Sequence, residues 1–389
     1  MNKGTAILFV VLLGCVSLFG DVTYEGARSI VGPYLGTLGA TGTIIGIAAG
    51  AGELVGYGIR LASGFLTDKS KQYWPLTIAG YVINLAAVPL LALAGNWQIA
   101  VALVICERAG KGIRTPARDA MLASATQATG RGWGFGLHEA LDQLGAVSGP
   151  LALAALLAHH AGYRMAFALL AVPAIIAILI LLTARRLYPD PGTLEIKKVE
   201  LAADRFPKNY WIYLLAAALI AFGYIDFPLI AFHFGKSESL ATSSIPLLYA
   251  VAMLSAALAA LILGRIFDRI GLWANVIAVA IGALYAPLVF YGGFDAALAG
   301  MILWGIGMGV QDSILRAYVA EIVAPERRGR AYGLFGAIYG VAWFAGSAMM
   351  GLLYDRALPL VVILSIGFEV AAALVLAALA RSDKPAAQG

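Results

Sequence analysis

Charge is scarce in this chain. Asp, Glu, Lys and Arg together make up 13% of its 389 residues, while 61% are hydrophobic. A soluble globular domain carries roughly 25% charged residues, so that class is excluded. Cysteine is nearly absent: Cys15 and Cys106 are too few for a disulfide framework and match no metal spacing. Histidine occurs four times, which leaves little material for a metal centre. No complete Gly-x-x-x-x-Gly-Lys-Ser/Thr loop occurs, so coupling to nucleotide hydrolysis within the chain is not expected.

What the chain has is apolar length. Hydrophobic segments fall at about 6–35, 41–67, 73–95, 98–126, 132–158 and 162–187. Six more follow at about 209–235, 244–267, 273–293, 296–322, 330–354 and 358–381. Each is long enough to cross a hydrocarbon core of ~30 Å at 1.5 Å per residue. The start, "MNKGTAILFVVLLGC", has the basic head, apolar core and small residue before Cys15 of a lipoprotein signal. The internal repeat described next needs this segment as a partner for a later span, so it is read as span one.

The two halves are copies. "SGFLTDKSK" around Asp68 recurs as "LGRIFDRIG" around Asp268, 200 residues later. "RGWGFGLHEALDQLGAVSGP" from Arg131 matches "RGRAYGLFGAIYGVAWFAGS" from Arg328, 197 residues later. Six spans per copy is an even number, so both copies insert the same way up. The expected fold is an all-α membrane protein of twelve transmembrane helices in two six-helix bundles, related by a pseudo-two-fold along the membrane normal. Residues 1–187 form the first bundle, 188–208 a polar cytoplasmic linker and 209–389 the second bundle. The substrate site of rocker-type transporters built this way lies between the halves.

Basic residues set the orientation. With both termini cytoplasmic, 17 Lys and Arg lie inside, three (Arg164, Lys236 and Arg356) lie outside and seven fall within spans. That bias is the positive-inside pattern. The net charge of +5 therefore reports topology, and no nucleic-acid partner is needed to explain it.

These features resemble the major facilitator superfamily over essentially the whole chain. Gly64, Asp68 and Lys69 are similar to its Gly-x-x-x-Asp-Arg/Lys loop signature, with Lys71 standing where glycine is usual. The second-half copy, Gly264, Asp268, Arg269 and Gly271, fits better. "RAGKG" in span four resembles the motif that sets an arginine, here Arg108, before a glycine, here Gly112. Span five carries Gly136, Gly145, Gly149 and Pro150 at the spacing of the antiporter motif, with Leu153 in place of a later glycine. The resemblance implies that Asp68 and Asp268 latch a conformation by pairing with neighbouring helix ends. In similar antiporters an acid in span one and the span-four arginine take part in proton exchange.

Span four is where charge concentrates. "ERAGKGIRTPARDA", residues 107–120, holds six charged side chains inside an apolar run. Each unpaired charge at a helix centre costs ~3 kcal/mol and each Leu-type residue returns ~0.5, so the balance is about 18 against about 3.5 kcal/mol. This helix cannot face lipid all round. At 100° per residue Glu107, Lys111, Arg114 and Arg118 share one stripe, with Arg108, Thr115 and Asp119 beside it, and Pro116 positioned to bend the helix. The stripe is expected to line a water-filled cavity.

Other spans add to it. Asp21, Glu25 and Arg28 follow one face of span one, and Glu53 lies midway along span two. Thirteen charged residues lie within first-half spans and five within second-half spans: Asp226, Asp312, Arg316, Glu321 and Glu369. Aromatics run the other way, 14 in residues 1–187 against 25 in 206–389, so one wall reads as ionic and the other as apolar. The expected proton-coupling set is Asp21, Glu25, Arg108 and Glu53. The expected substrate cavity comprises Arg28, Glu107, Lys111, Arg114, Glu139, Asp142, Asp226 and Tyr339. Arg118 and Asp119 are expected to form ion pairs with Asp68 and Lys69 in the latch. Gly145, Gly149 and Pro150 read as helix-packing positions.

"HEALD", residues 138–142, places His-Glu on one helix as zinc proteases do. Asp142 stands where the second histidine belongs and no third ligand is apparent, so an intramembrane metalloprotease is a remote alternative, and no metal or cofactor is expected. The function expected is proton-coupled export of small amphipathic molecules by alternating access, with a monomer in the cell membrane. Uptake by symport, carriage of an anionic metabolite by Arg108, Lys111 and Arg114, and divalent-metal transport through His138, Glu139 and Asp142 stand as alternatives.

The charge bias makes a direct prediction. Cysteines placed near residues 38, 96 and 294 should react with impermeant thiol reagents from outside intact cells, and cysteines near 70, 195 and 328 should not. The reverse pattern would invert the topology.

Overall fold

The computed structural model describes residues 3–129, 131–189, 206–237, 240–324 and 327–382. The side chains of residues 3, 127–129, 131–133, 312–314, 316 and 317 lie outside that set, as do residues 190–205 of the expected linker. Asp312 and Arg316 therefore have no side-chain account.

The described residues are helical, with no strand. The elements are α1 (Lys3–Thr37), α2 (Gly42–Ser70), α3 (Tyr73–Leu90), α4 (Trp97–Thr129), α5 (Arg131–Ala158), α6 (Tyr163–Leu169) and α7 (Ala171–Leu187). After the linker come α8 (Lys208–Gly223), α9 (Phe227–Ser237), α10 (Ser244–Ile270), α11 (Trp273–Gly282), α12 (Tyr285–Tyr291), α13 (Phe294–Ile322), α14 (Arg328–Arg356) and α15 (Leu358–Ser382). The pairs α6–α7, α8–α9 and α11–α12 are each one span in two pieces, so the fifteen helices make twelve spans. Eleven spans are long and apolar enough to cross a membrane by length and composition alone. The twelfth, α4, is long enough at 33 residues but too charged to qualify.

Proline explains where spans break. Pro173, Pro228 and Pro287 each lie in the first turn of the second piece, where their missing N–H is not needed. The same residues cannot donate to the carbonyl four positions back, so the preceding helix ends before them. In span seven the consequence is largest: Tyr224 is extended, at φ −79° and ψ 118°, and Tyr224–Asp226 form a gap between α8 and α9.

The chain forms two compact units. The first comprises Met1–Ala40, Ala51–Ile196 and Ala231–Ala250, and the second Thr41–Gly50, Lys197–Ile230 and Val251–Gly389. Within the first, α1 is the central helix, packed against α3, α4, α5 and α7. One end of this unit is a dry core of Phe9, Leu13, Tyr73, Trp74, Met121 and Leu181, with the Phe9 and Trp74 rings edge to face at 6.1 Å. The stretch Ala231–Ala250 joins this unit, with Gly235 against Pro33. Within the second, α8 packs against α14 and α15, and α15 also meets α11. The start of α2 belongs here, because Asp355 caps it: its carboxylate accepts from Gly42 N at 2.9 Å, Thr43 N at 2.7 Å and Thr43 Oγ1 at 2.7 Å.

Close helix crossings set the register of the first unit. A Cβ on Gly145 would overlap the Leu18 carbonyl oxygen, and one on Gly149 the Val22 carbonyl oxygen, so α5 lies backbone to backbone on α1. The crossing fixes the rotation of α1 and so aims Asp21 and Glu25. Gly145→Val should therefore destabilise the protein by about 1–3 kcal/mol in reversible unfolding. Gly136→Ala on the same helix meets nothing within 4 Å and should be neutral. Equal stability of the two variants would rule out the close crossing.

Candidate functional site

The charges of α4 do not leave the helix as one stripe. Five of them divide among three neighbouring helices and meet partners there, while Asp119 pairs with Arg118 on α4 itself. Asn84 on α3 donates Nδ2 to the Glu107 carbonyl at 3.0 Å and to Glu107 Oε1 at 2.7 Å. Arg114 is 1% exposed and sets its guanidinium 4.2 Å from the centre of the Tyr81 ring, also on α3. Arg108 turns to α2, with NH2 3.4 Å from Glu53 Oε1, and its Nε lies 3.4 Å from Glu107 Oε2. Lys111 turns to α1, where its Nζ lies 3.8 Å over the Tyr24 ring and donates to the Tyr24 hydroxyl. An unpaired charge in a low-dielectric interior is costly, whereas a carboxylate, an amide or an aromatic face offsets much of that cost. The expected single cavity wall is thus divided among separate pairs, and Arg114 keeps its Nε and NH1 without a hydrogen-bond partner among the described residues.

Glu53 joins the pairs into a network. Its Oε1 lies 3.8 Å from Arg28 NH2 as well as 3.4 Å from Arg108 NH2. Glu25, one turn before Arg28 on α1, accepts from the Tyr249 hydroxyl of α10 at 2.5 Å. Asp21 is half-buried one turn earlier, within electrostatic reach of Lys111, Arg114 and Asp142. Four carboxyls (Asp21, Glu25, Glu53 and Glu107) are thus gathered with four basic side chains (Arg28, Arg108, Lys111 and Arg114).

A second polar layer lies along α1, α3, α4 and α5. His138 is buried, with Nε2 3.1 Å from Ser17 Oγ and Nδ1 3.7 Å from Asp142 Oδ1. Ser17 also accepts from Arg118 NH1 at 3.1 Å and lies 3.4 Å from the Tyr81 hydroxyl. Among the described residues no group of three or more His, Cys, Asp or Glu side chains forms a metal site.

Several expected site residues sit elsewhere. Arg118 binds Asp119 through Nε at 3.0 Å and NH2 at 2.8 Å, in place of the expected pairing with Asp68 and Lys69. The reason is direction: Arg118 turns inward to α1, while Asp68 and Lys69 are exposed in the last turn of α2 with no ion pair among the described residues. Asp268 and Arg269 are exposed at the matching end of α10, and Gly264 lies one turn before them. Glu139 is also exposed and accepts from Gln143 Nε2 at 2.9 Å, outside the network. Asp226 and Tyr339 belong to the second unit. There Asp226 Oδ2 accepts from Trp343 Nε1 at 3.2 Å, and Tyr339 donates to Gln311 Oε1.

Sequence reasoning missed Asn84, Tyr24, Tyr81 and Tyr249. A signal existed for Asn84, a lone amide in the otherwise apolar "VINLAAV" of span three. None existed for Tyr249, which lies 224 residues from its partner Glu25.

Twelve spans with a buried ionic network in the first unit fit a membrane transporter. The profile of the Major Facilitator Superfamily matches residues 10–347 and 276–389, and the chain belongs to that superfamily. It is a transporter and not an enzyme. An uncharacterized protein of Mycobacterium tuberculosis (strain ATCC 25618 / H37Rv) is 41% identical over 378 residues, covering 95% of this chain and 92% of the relative. An uncharacterized MFS-type transporter of Methanocaldococcus jannaschii is 25% identical over 353 residues, covering 89% of this chain and 88% of that one. Among solved structures, the nucleoside transporter NupG matches with a TM-score of 0.78 at 16% identity, covering 95% and 98% of the two chains. A bacterial homolog of the human lysosomal transporter Spinster, inward-facing and unoccupied, matches at 0.75 with 15% identity and 98% of each chain covered. At these identities the structural likeness is one of fold.

The Asn84–Glu107 contact makes a stability prediction. Asn84→Leu leaves a buried acceptor without its donor and should cost about 1–3 kcal/mol. Removing both partners, in Asn84→Leu with Glu107→Leu, should recover most of that loss. Additive losses in the double variant would show that the two side chains do not interact.

Proposed function

We propose that the chain is a proton-coupled exporter of small amphipathic molecules, working by alternating access as a monomer in the cell membrane with both termini cytoplasmic. The observation that carries this reading is the sharing of Glu53 between Arg28 and Arg108. A carboxylate held by two guanidiniums is a poor proton acceptor, and it becomes a good one when either guanidinium withdraws. Arginine stays charged throughout, so its motion modulates the acid without carrying the proton. A substrate that draws Arg108 away from Glu53, or competes for the same carboxylate, exchanges one ligand for the other. Asp21 and Glu25 lie on the neighbouring face of α1 and extend the set of acids through which a proton passes.

The near balance of acids and bases favours an amphipathic cargo over a simple anion or a metal ion, since neither charge sign is in excess. The span-five glycine pattern supports export. Asp68 and Asp268, exposed at equivalent helix ends, act in this reading as latch positions that engage in another conformation.

A thermal-shift screen of the purified protein against drugs, organic anions and divalent metals identifies a ligand. That ligand is then followed in proteoliposomes under an imposed pH gradient with Asp21→Asn, Glu25→Gln, Glu53→Gln and Arg108→Gln. At least one acid variant should still bind the ligand yet lose its response to the gradient, with transport falling about tenfold or more, a factor that corresponds to ~1.4 kcal/mol of coupling. Full gradient-driven transport by all four variants would place the proton site elsewhere.

A further inference from the structure

The second unit holds a carboxyl that the network above does not use. Glu369 lies midway along α15, in the otherwise apolar run "SIGFEVAAALV", and is 3% exposed. Among the described residues its Oε1 has no hydrogen-bond partner. It stands beside the gap in span seven: a Cβ on Gly223, the last residue of α8, would lie 2.7 Å from Phe368 Cβ and 3.4 Å from the Glu369 backbone nitrogen.

The hydrogen bonds around the gap can be assigned by counting protons. Ser365, one turn before Glu369, donates its single hydroxyl proton to the Gly223 carbonyl at 2.8 Å. The Tyr285 hydroxyl lies 3.2 Å from Ser365 Oγ, and with the serine proton already committed Tyr285 must be the donor. Tyr285 in turn accepts from Ile225 N at 2.7 Å, and Trp304 Nε1 donates to the Ile225 carbonyl at 2.9 Å. Side chains from three helices thus satisfy the backbone that the gap exposes, as an apolar surrounding requires. Every hydroxyl proton in the clamp is committed, and none reaches Glu369. Tyr285 is the titratable group within electrostatic reach of Glu369, and among the described residues no cation stands beside it. Asp226 differs in kind, since Phe227 N and Trp343 Nε1 donate to its two oxygens at 3.0 and 3.2 Å.

We propose that Glu369 is a proton-binding site of the second unit, holding its proton while Tyr285 and Ser365 clamp the gap in span seven and releasing it when the clamp opens. A buried carboxyl with no donor and no cation beside it is neutral, because ionising it would leave an uncompensated charge in the interior. Opening the clamp frees the Tyr285 and Ser365 hydroxyls, the donors an ionised Glu369 needs. Proton release is thereby tied to the conformation of span seven. The site is independent of the Glu53 network, and its test needs no transported ligand.

Infrared spectroscopy of the purified protein in nanodiscs, with carbon-13 in its glutamate carboxyls, reads the proton directly. At neutral pH the wild type should show an isotope-shifted carboxylic-acid C=O band that Glu369→Gln lacks. Ser365→Ala removes the acceptor of the Tyr285 hydroxyl and turns that donor free, so the band should titrate away at lower pH than in the wild type. In parallel, the thermal midpoint of the wild type should fall relative to Glu369→Gln as pH rises, because only the wild type loses a proton on unfolding. Identical spectra for wild type and Glu369→Gln would overturn the proton site. A Ser365→Ala band that titrates as the wild type does would overturn its link to span seven. If Glu369→Gln does not fold, the labelled wild type and Ser365→Ala decide both points, the site failing if the wild type has no such band.

Discussion

A guanidinium inside a membrane-spanning helix must be met by a carboxylate, an aromatic face or water, and Arg108 is met by two carboxylates and a ring. Glu53 and Glu107 lie 3.4 Å from it, and the Tyr24 ring centre lies 5.5 Å away. Take that answer away and α4 loses its reason to sit among α1, α2 and α3. Its insertion balance is unfavourable by an amount that apolar side chains do not recover. The helices of the first unit are therefore arranged around a polar centre, and their apolar faces follow from it. This is the reverse of a soluble domain, where burial of apolar surface leads and polar groups accommodate.

Such an arrangement needs the backbones to come close, because short side chains such as Asn84 and Asp21 do not reach far. Glycine supplies the proximity. Gly110 on α4 lies against the Asn84 backbone and the Gly80 carbonyl of α3, which brings Asn84 within 2.7 Å of Glu107. Gly145 and Gly149 do the same for α5 on α1. Substitution of these glycines acts on the network at a distance, through helix spacing and not through charge.

The same rule governs the backbone in the second unit. Pro228 ends α8 early, and the freed amide and carbonyl groups are taken up by Tyr285, Trp304 and Ser365. The aromatic richness of this half, which reads in the sequence as an apolar wall, is in part a supply of hydroxyl and indole donors. Tyr and Trp bury a large apolar body while keeping one polar atom for a partner, so they serve packing and satisfaction together.

The sequence by itself determined which segments cross the membrane, that the two halves are copies, and that spans one, two and four carry the charges. These are properties summed residue by residue along a helix: apolar length sets the cost of crossing and each charge adds to it. It did not determine what each charge would touch. The stripe on α4 was legible as a stripe, yet its members part toward three helices, because side-chain direction depends on where neighbouring backbones stand. Motif adjacency points Arg118 toward Asp68, whereas the side chain binds Asp119 and Ser17. Asp355 on the start of α2 and Tyr249 on Glu25 join residues 312 and 224 positions apart. Helical periodicity contains no information at that range. Only the packing of whole helices, set by glycine crossings and by the need to offset buried charge, decided it.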